Sequence, residues 1–412
     1  MADKQKLSTD AYKGVRDFYP EDKAVLEYIF DVWKHTAESF GYEQYDASIL
    51  EPAELYSAKT SEEMVNEQTY TFIDRGERRV TLRPEMTPTV ARMVAGRRHD
   101  LSFPLRWYSI PNLFRYERSQ RGRLREHWQL NCDIFGSNEY SADVEIIALA
   151  HQIFLNFGAD ESMFEIRIND RSWLHEIFGT YGLNDAQTKA MLALLDRKEK
   201  IDNFDEEAEK ICGKPFGISN IKPAEDSSLT RVMNGLTELG VKNVILSPST
   251  VRGLTYYTGT VFEVFDTAPE NSRALLGGGR YDNLTELFGG EPIPGVGFGF
   301  GDVTFKNFLE THNLLTSNVT APTLMIIPTD PEHILVAEKL AQNFRANEIS
   351  TAVDLSDRKV GKKVAHAGDT FVTYALVLGE DEIASKKYTV KNLAEKTETS
   401  GTLEELLEKL SN

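Results

Sequence analysis

The segment that decides the fold runs from residue 114 to residue 133 and reads Phe114-Arg-Tyr-Glu-Arg-Ser-Gln-Arg-Gly-Arg-Leu-Arg-Glu-His-Trp-Gln-Leu-Asn-Cys-Asp133. Polar and apolar residues alternate at both of its ends, as they do on strands whose side chains point to opposite faces. Near the second end, Gln129, Asn131 and Asp133 share a face, and apolar residues occupy the other face. The pattern predicts a β-hairpin with one face towards a core and one polar face.

At the first end, Arg115 and Glu117 are predicted to share a face of the leading strand. Alternation alone is more typical of a solvated amphipathic hairpin. The loop between the two strands favours a functional site, because it is dense in guanidinium groups, which bind phosphate in a bidentate geometry. The arginines and the glycine of this loop are Arg118, Arg121, Gly122, Arg123 and Arg125.

Working outward, the periodicities predict several strands joined mainly by hairpins, with helices packed on them. The helical predictions are residues 23–40 and a charged region over about 170–241. The strand predictions are 69–74, 77–83, 106–135, 244–246 and 256–265. These elements indicate an α+β fold with a mixed, mainly antiparallel sheet and flanking helices.

A second unit is predicted from Ala321 onward. Strands and helices alternate there as β-α-β-α-β, which indicates a small parallel sheet covered by helices. Its first strand is followed by Ile327-Pro328-Thr329-Asp330 and not by a glycine-rich phosphate loop, which disfavours a nucleotide-binding domain. Basic residues that are as typical of a solvated helix face as of a phosphate-binding surface occur in this unit: Arg358, Lys359, Lys362, Lys363, Lys386, Lys387 and Lys391.

Composition limits the class of protein. The 412 residues are 41% hydrophobic and 27% charged, typical of a globular chain, with a formal net charge of −18. That charge disfavours sequence-blind nucleic-acid binding, which depends on basic surfaces, but it leaves room for local basic patches. The two cysteines, Cys132 and Cys212, are too few for a disulfide framework. With no apolar leader and no membrane-spanning stretch, we expect a cytoplasmic protein.

Two further segments carry candidate functional residues. Residues 251–263 place Arg252 and the paired tyrosines Tyr256 and Tyr257 at the start of a strand. Residues 276–282, Leu-Gly-Gly-Gly-Arg-Tyr-Asp, are interpreted as a glycine-rich turn at which the backbone can approach a ligand closely. Neither segment alone is enough to predict a functional site.

Together these segments resemble the class II histidyl-tRNA synthetases over nearly the whole chain. Five segments match the family in order: residues 13–20, residues 82–87, the hairpin of Arg115, residues 252–263 and residues 276–282. The region from Ala321 onward is similar to the family's anticodon-binding domain. The resemblance implies a catalytic core at 1–320 with a mostly helical insertion at about 170–243, and a small α/β anticodon-binding domain at 321–412.

The resemblance also implies a histidine site. Glu85 and Thr87 would hold the α-amino group, with Met86 between them in the same segment, and Gln129 would lie near the substrate backbone. The residues expected around the imidazole are Asp133 and Tyr257, with Tyr256 and Tyr281 as walls. The family commonly has glutamate where Asp133 stands, so this chain presents a shorter carboxylate.

Arg115 and Arg252 are the catalytic residues that the resemblance implies, each contacting both histidine and ATP. Arg115 would bridge the histidine carboxylate and the α-phosphate, and Arg252 would lie across from it. Glu117 and Arg123 would also bind ATP, Arg123 at the outer phosphates. The implied substrates and partners are ATP with Mg²⁺, whose ligands the sequence does not assign, L-histidine, tRNA(His) and a second copy in a homodimer.

The sequence departs from the family at three places. Thr304 stands where class II enzymes usually have an ATP-contacting arginine, Ser48 replaces the motif 1 proline with Pro52 following, and Thr255 replaces a frequent aspartate. Arg123 is expected to replace the missing ATP contact, and it is a better candidate than Lys306. The substitution Thr304→Arg is expected to be tolerated. A second interpretation is a synthetase-like regulatory subunit of histidine biosynthesis, which would be a binding module and not an enzyme. A third interpretation is a synthetase for another amino acid.

Overall fold

The computed structural model describes residues 7–57, 68–118, 120–198, 201–218, 221–252, 256–316 and 321–410. They fall into two units, residues 1–316 and 317–412. The strands of the first unit are β1 Glu43–Gln44, β2 Leu50–Pro52, β3 Tyr70–Ile73, β4 Arg79–Leu82, β5 Leu105–Ser109, β6 Asn112–Phe114, β7 Glu126–Phe135, β8 Phe164–Asp170, β9 Val244–Leu246, β10 Thr260–Asp266, β11 Ala274–Arg280 and β12 Gly295–Gly301.

The helices of the first unit are α1 Pro20–Ser39, α2 Glu54–Ser57, α3 Thr87–Gly96, α4 Tyr140–Asn156, α5 Arg171–Tyr181, α6 Asp185–Leu195, α7 Phe204–Cys212, α8 Ser228–Glu238 and α9 Asp302–Thr311. No helix in these described stretches is long and apolar enough to cross a membrane.

The strands of the first unit form two sheets. The larger runs in the order β1-β5-β7-β12-β11-β10-β8-β9, with β6 paired to β7. Its pairs are antiparallel except β1 with β5 and β8 with β9. A smaller antiparallel sheet has the order β2-β4-β3. The predicted α+β fold with a mixed, mainly antiparallel sheet is confirmed.

The large sheet buries one face in the main core. Alternation along β7 sends Leu130 and Cys132 to that face, and β12 contributes Phe300. The Phe300 ring lies 5.2 Å from Trp33 of α1 and 5.3 Å from Phe154 of α4, measured between ring centroids. This aromatic contact fixes the helices on one side of the sheet and leaves the opposite face for other side chains.

The predicted leading strand of the hairpin is too long. β6 ends at Phe114, so Arg115 and Glu117 do not share a strand face. The backbone N–H of Arg115 still donates to the Arg125 carbonyl at 2.9 Å, but that of Tyr116 donates to the Gln68 carbonyl at 2.8 Å. The chain therefore leaves the hairpin after Arg115 because another segment pairs with it.

Two other predictions are also wrong. The three glycines Gly277, Gly278 and Gly279 lie inside β11 and not in a turn. Hydrogen bonding to β10 on one side and β12 on the other holds them extended, although glycine is unfavourable in a strand. The strand predicted from Tyr256 begins only at Thr260, so both tyrosines precede it.

The second unit is built on a five-stranded sheet of order β14-β13-β15-β16-β17. The first three strands are parallel, as predicted, but the antiparallel pair formed by β16 and β17 was not foreseen. The strands are β13 Leu324–Pro328, β14 Thr351–Val353, β15 Tyr374–Leu378, β16 Tyr388–Asn392 and β17 Glu398–Gly401. The helices are α10 Ile334–Arg345, α11 Val360–Asp369, α12 Glu380–Ser385 and α13 Leu403–Leu410.

Candidate active site

Five glycines on one face of the two central strands form what we call the glycine floor. β11 contributes Gly277 and Gly279, and β12 contributes Gly295, Gly297 and Gly299. Gly277 pairs with Gly299 and Gly279 with Gly297, so the two sets share the face opposite the aromatic core. Because glycine has no Cβ atom, neighbouring side chains can lie directly on the backbone here.

One predicted site residue lies over each of these glycines. The pairs are Gly277 with Arg252, Gly279 with Tyr257, Gly295 with Tyr281, Gly297 with Asp133 and Gly299 with Gln129. A Cβ atom added to Gly299 would come within 2.8 Å of the Gln129 side chain, and one added to Gly295 would come within 2.5 Å of the Tyr281 ring. The floor therefore gathers side chains that are up to about 150 residues apart in the sequence.

Asp133 and Tyr281 form a buried pair at one end of the floor. Their exposed fractions are 3% and 2%, and the Tyr281 hydroxyl donates a hydrogen bond to Asp133 Oδ1. Burial raises the pKa of Asp133 from 3.8 to about 7, and the hydrogen bond from Tyr281 opposes that rise. The carboxyl group can therefore change its protonation state near neutral pH.

Three tyrosines wall this end of the site. The Tyr256 ring centroid lies 4.8 Å from that of Tyr257 and 5.9 Å from that of Tyr281. The Tyr256 hydroxyl donates to Glu85 Oε2 at 3.1 Å. Burial, reinforced by Glu85, raises the pKa of Tyr256 well above its ordinary value. The hydroxyl consequently stays protonated and holds Glu85 against the wall.

Glu85, Met86 and Thr87 lead into α3, which begins at Thr87. The carboxyl of Glu85 is 4% exposed, and the Met86 side chain is fully buried. Arg115 joins this segment from the hairpin, because its Nε donates to the Pro84 carbonyl at 2.8 Å. The structure thus brings the 84–87 segment and Arg115 together.

Arg252 reaches the floor from the connection before β10. Its backbone has a φ of 55°, and its Nη1 lies 2.9 Å from Glu263 Oε1. Burial works against its charge, but Tyr257 and Glu263 together raise the pKa of Arg252, which therefore remains a cation. Thr255, a predicted departure from the family, lies outside the described residues.

The arginine loop of the hairpin carries the predicted ATP residues. Arg123 Nη1 lies 3.0 Å from Glu117 Oε2, with side-chain exposures of 49% and 11%. The two charges are close, but no hydrogen bond of good geometry reaches this buried Oε2 within the described residues. At the tip of the loop Gly122 adopts a φ of 76°, which favours glycine.

Comparisons with known proteins give the family to which the chain belongs. A family model described as histidyl-tRNA synthetase matches residues 14–210 and 217–301. The chain belongs to the histidyl-tRNA synthetase family. A second family model, the anticodon binding domain, matches residues 323–412. A histidine–tRNA ligase of Leptospira biflexa is 42% identical, with 98% of each chain covered.

Solved structures share the fold of this histidyl-tRNA synthetase family member. The crystal structure of a histidyl-tRNA synthetase from Nostoc sp. PCC 7120 has a TM-score of 0.80 at 24% identity and covers 98% of this chain and 99% of its own. A Bacillus halodurans structure described as an ATP phosphoribosyltransferase regulatory subunit/histidyl-tRNA synthetase has a TM-score of 0.69 at 22% identity, with 88% and 97% covered.

The departure of this family member at Thr304 lies in the first turn of α9. The Thr304 hydroxyl donates to the Leu275 carbonyl at 3.3 Å. Lys306, one of the two predicted substitutes, has its Nζ 3.7 Å from Glu310 and lines a different pocket with Arg16 and Asp302. Lys306 is thus already paired with a carboxylate of its own helix.

His127 is a site-face residue that the sequence reasoning missed. It lies on the same face of β7 as Gln129, two residues away, and alternation alone could have identified it. Burial, followed by the charges of Arg115 and Arg16, lowers the pKa of His127 to about 3. The imidazole is therefore neutral at physiological pH.

Replacing the buried Asp133 by asparagine should change how stability depends on pH. As pH rises from 4 to 7, the unfolded chain loses the Asp133 proton and the folded chain keeps it, so the free energy of unfolding of the wild type falls. Asp133→Asn removes this penalty. We expect the variant to be stabilised relative to wild type by ~2–3 kcal/mol more at pH 8 than at pH 5.

Urea unfolding followed by tryptophan fluorescence measures this change in the first unit, which contains all four tryptophans. The carbonyl of the introduced amide can still accept the Tyr281 hydrogen bond, so the comparison isolates the charge. An equal stability difference at the two pH values would contradict the prediction.

Proposed function

We propose that this chain is an ATP-dependent histidine–tRNA ligase. It activates L-histidine to histidyl adenylate and transfers the histidyl group to the 3′ end of tRNA(His). The observation that carries the proposal is the glycine floor, on which the buried Asp133–Tyr281 pair and the cation of Arg252 share one face. One site thereby holds a carboxyl group that can bind an imidazole and a guanidinium group that can bind a phosphate.

The proposed histidine pocket satisfies each polar group of the substrate. Asp133 and Tyr257 contact the imidazole, Glu85 and Thr87 hold the α-amino group, and Gln129 lies near the substrate backbone. Unpaired polar groups in a buried pocket are costly, so a substrate without a matching ring nitrogen offers Asp133 no hydrogen bond beyond the one from Tyr281. A pocket of this kind can reject other amino acids without a separate editing step.

In the proposed first step, a carboxylate oxygen of histidine attacks the α-phosphorus of ATP and the bond to the β-phosphate oxygen breaks, which releases pyrophosphate. Negative charge grows on the phosphate oxygens, and Arg115 and Arg252 supply fixed positive charge there. In the second step the terminal ribose hydroxyl of tRNA attacks the carbonyl carbon of histidyl adenylate and AMP leaves.

Mg²⁺ is proposed to enter with ATP as part of the substrate. The ion usually keeps several waters and binds through phosphates with one or two carboxylates. Glu263 presents a carboxylate beside Arg252, but it already pairs with that arginine. Within the described residues, His, Cys, Asp and Glu side chains form no group of three that could hold a metal by themselves.

The regulatory-subunit alternative has less support. The likeness to the Bacillus halodurans structure, at 22% identity, concerns the fold alone. This chain keeps Arg115, Arg252 and a C-terminal unit that matches the anticodon-binding domain. We retain the division into a core at 1–320, with a helical insertion at about 170–243, and an RNA-reading unit at 321–412. Homodimer formation and a cytoplasmic location stay predictions.

Histidine-dependent exchange of pyrophosphate into ATP tests the proposed function, because a binding module would not catalyse it. Arg252→Ala should lower the rate of exchange by roughly 100-fold or more, since it removes a cation from the transition state. Arg197→Ala, which changes an exposed arginine at the end of α6, is the matched control. Exchange supported by another amino acid, or by none, would contradict the assignment.

Gly299→Ala tests whether the floor positions Gln129. The added Cβ atom would meet only the flexible end of that side chain, at 2.8–3.0 Å, so the fold should survive while the amide moves. We expect the Kd for histidine, measured by calorimetry, to rise roughly tenfold through the loss of a hydrogen bond. Gly179→Ala in α5, where an added Cβ meets nothing within 4 Å, should leave the Kd unchanged.

In the second unit, the structure revises the set of basic residues suited to RNA. Lys363 is 7% exposed and its Nζ lies 3.7 Å from Asp354, so it is not available to RNA. Arg358, Lys359 and Lys362 are exposed.

Changing Arg358 and Lys362 together to glutamate should weaken tRNA charging by at least roughly tenfold at physiological salt. ATP–pyrophosphate exchange should stay normal. The double variant Lys386→Glu/Lys387→Glu changes a second exposed basic pair in the same unit, and its charging rate is compared with that of the first double variant. Equal loss of exchange and charging would argue against a role for Arg358 and Lys362 in RNA binding.

A further inference from the structure

Arg273 is a cation beside the arginine loop that the sequence reasoning did not consider. It follows β10 and directly precedes β11. Its Cδ lies 3.0 Å from the point that a Cβ atom on Gly122 would occupy, and the Thr304 Cγ2 lies 3.3 Å from the same point. The side chains of Arg273 and Thr304 therefore both lie at the tip of the loop, beside Gly122.

The turn that carries Arg273 is anchored by buried polar contacts. The Asn271 amide donates to Asp266 Oδ2 at 2.7 Å and to Thr311 Oγ1 at 3.1 Å. Arg121 Nη2 donates to Asn271 Oδ1 at 3.2 Å, which links the arginine loop to the same turn. The position of Arg273 relative to the loop is thus set by contacts on both sides.

Glu117 is the one carboxylate among the described residues that acts on the charge of Arg273, and it also serves Arg123. In the described part of the chain, its guanidinium makes no hydrogen bond or ion pair. Burial and the nearby Arg123 lower the pKa of Arg273, and only Glu117 opposes them. Glu117 already lies 3.0 Å from Arg123, so two guanidinium groups share one carboxylate. Such a surplus of positive charge in a fixed cluster favours a bound anion.

We propose that Arg273 binds the outer phosphates of ATP and takes the place of the cation that Thr304 cannot supply. This inference rests on the proposed function. The outer phosphates are the target because the neighbours of Arg273 are Arg123 and the tip of the arginine loop. The guanidinium can grip a phosphate in a bidentate manner with Arg123 beside it. The compensation that the sequence assigned to Arg123 alone is then shared by two arginines.

Steady-state exchange kinetics test the role of Arg273. Arg273→Ala should raise the KM for ATP by roughly tenfold or more, because it removes a charged phosphate contact. The Kd for histidine and the inhibition constant of AMP should stay within about twofold of wild type, since AMP has no outer phosphates. Arg273→Lys should fall between wild type and Arg273→Ala, because it keeps the charge and loses the bidentate geometry.

A swap between positions 273 and 304 tests the compensation itself. The double variant Arg273→Ala/Thr304→Arg moves the arginine from position 273 to position 304. Both positions lie near the same point beside Gly122. This double variant should recover most of the lost ATP affinity. Thr304→Arg alone should give little gain, because the new cation meets Arg273. A double variant no better than Arg273→Ala would overturn the idea that the two positions serve one phosphate site.

The failure of this inference differs from that of the proposed function. The proposed function would be contradicted if the wild-type protein showed no histidine-dependent exchange of pyrophosphate into ATP. An active wild type whose Arg273→Ala variant keeps a normal KM for ATP, or loses ATP and AMP affinity equally, would overturn the role of Arg273 alone. Arg197→Ala is again the matched arginine control and should leave the KM for ATP unchanged.

Discussion

The missing Cβ atoms of β11 and β12 are the constraint on which the rest of the site depends. A strand has two faces, and here the sheet uses them for opposite purposes. On one face Phe298 and Phe300 pack into the core, and on the other the glycines leave room for side chains to lie on the backbone. The glycines weaken the strands, and the aromatic residues between them supply the packing that keeps these strands at the centre of the sheet.

The second organising feature is a local reversal of charge. The chain as a whole is strongly acidic, yet the proposed ATP end of the site combines three arginines, Arg123, Arg273 and Arg252, and the ion pairs described there involve Glu117 and Glu263. A local cluster of positive charge on an acidic chain attracts anions to that cluster in preference to the remaining surface. The site is thereby selective for a polyanion before any specific contact forms.

Sequence patterns predicted the fold class because regular periodicity reports burial. Alternation along β7 separated the core residue Leu130 from the site residue Asp133, and the apolar spacing over residues 23–40 predicted helix α1. The patterns failed where tertiary contacts override local preference. Gly277–Gly279 resembles a turn in composition but is held extended by two neighbouring strands, and Arg115 leaves its strand because Gln68 captures the next backbone N–H.

For the candidate site, the resemblance supplied the residues that the glycine floor gathers, but Arg273 has no local signature. Its position follows from contacts between a turn, a loop and a helix start that are distant in sequence, so a reading along the chain could not identify it. His127 is the opposite case, because its alternation with Gln129 was visible in the sequence.

The insertion of β12 between β7 and β11 also bears on how the chain reaches its fold during synthesis. β7 is complete at Phe135, but the strand that pairs with its inner edge ends at Gly301. At synthesis rates of about 5–20 residues per second, the chain between Phe135 and Gly301 takes on the order of 10–30 s to synthesise. The inner edge of β7 has no partner strand during that time. During this interval a ten-residue strand with one apolar face presents unpaired backbone groups, a template for pairing with the wrong chain. An open edge of this kind carries a risk of aggregation in the nascent chain until the glycine strand has been synthesised.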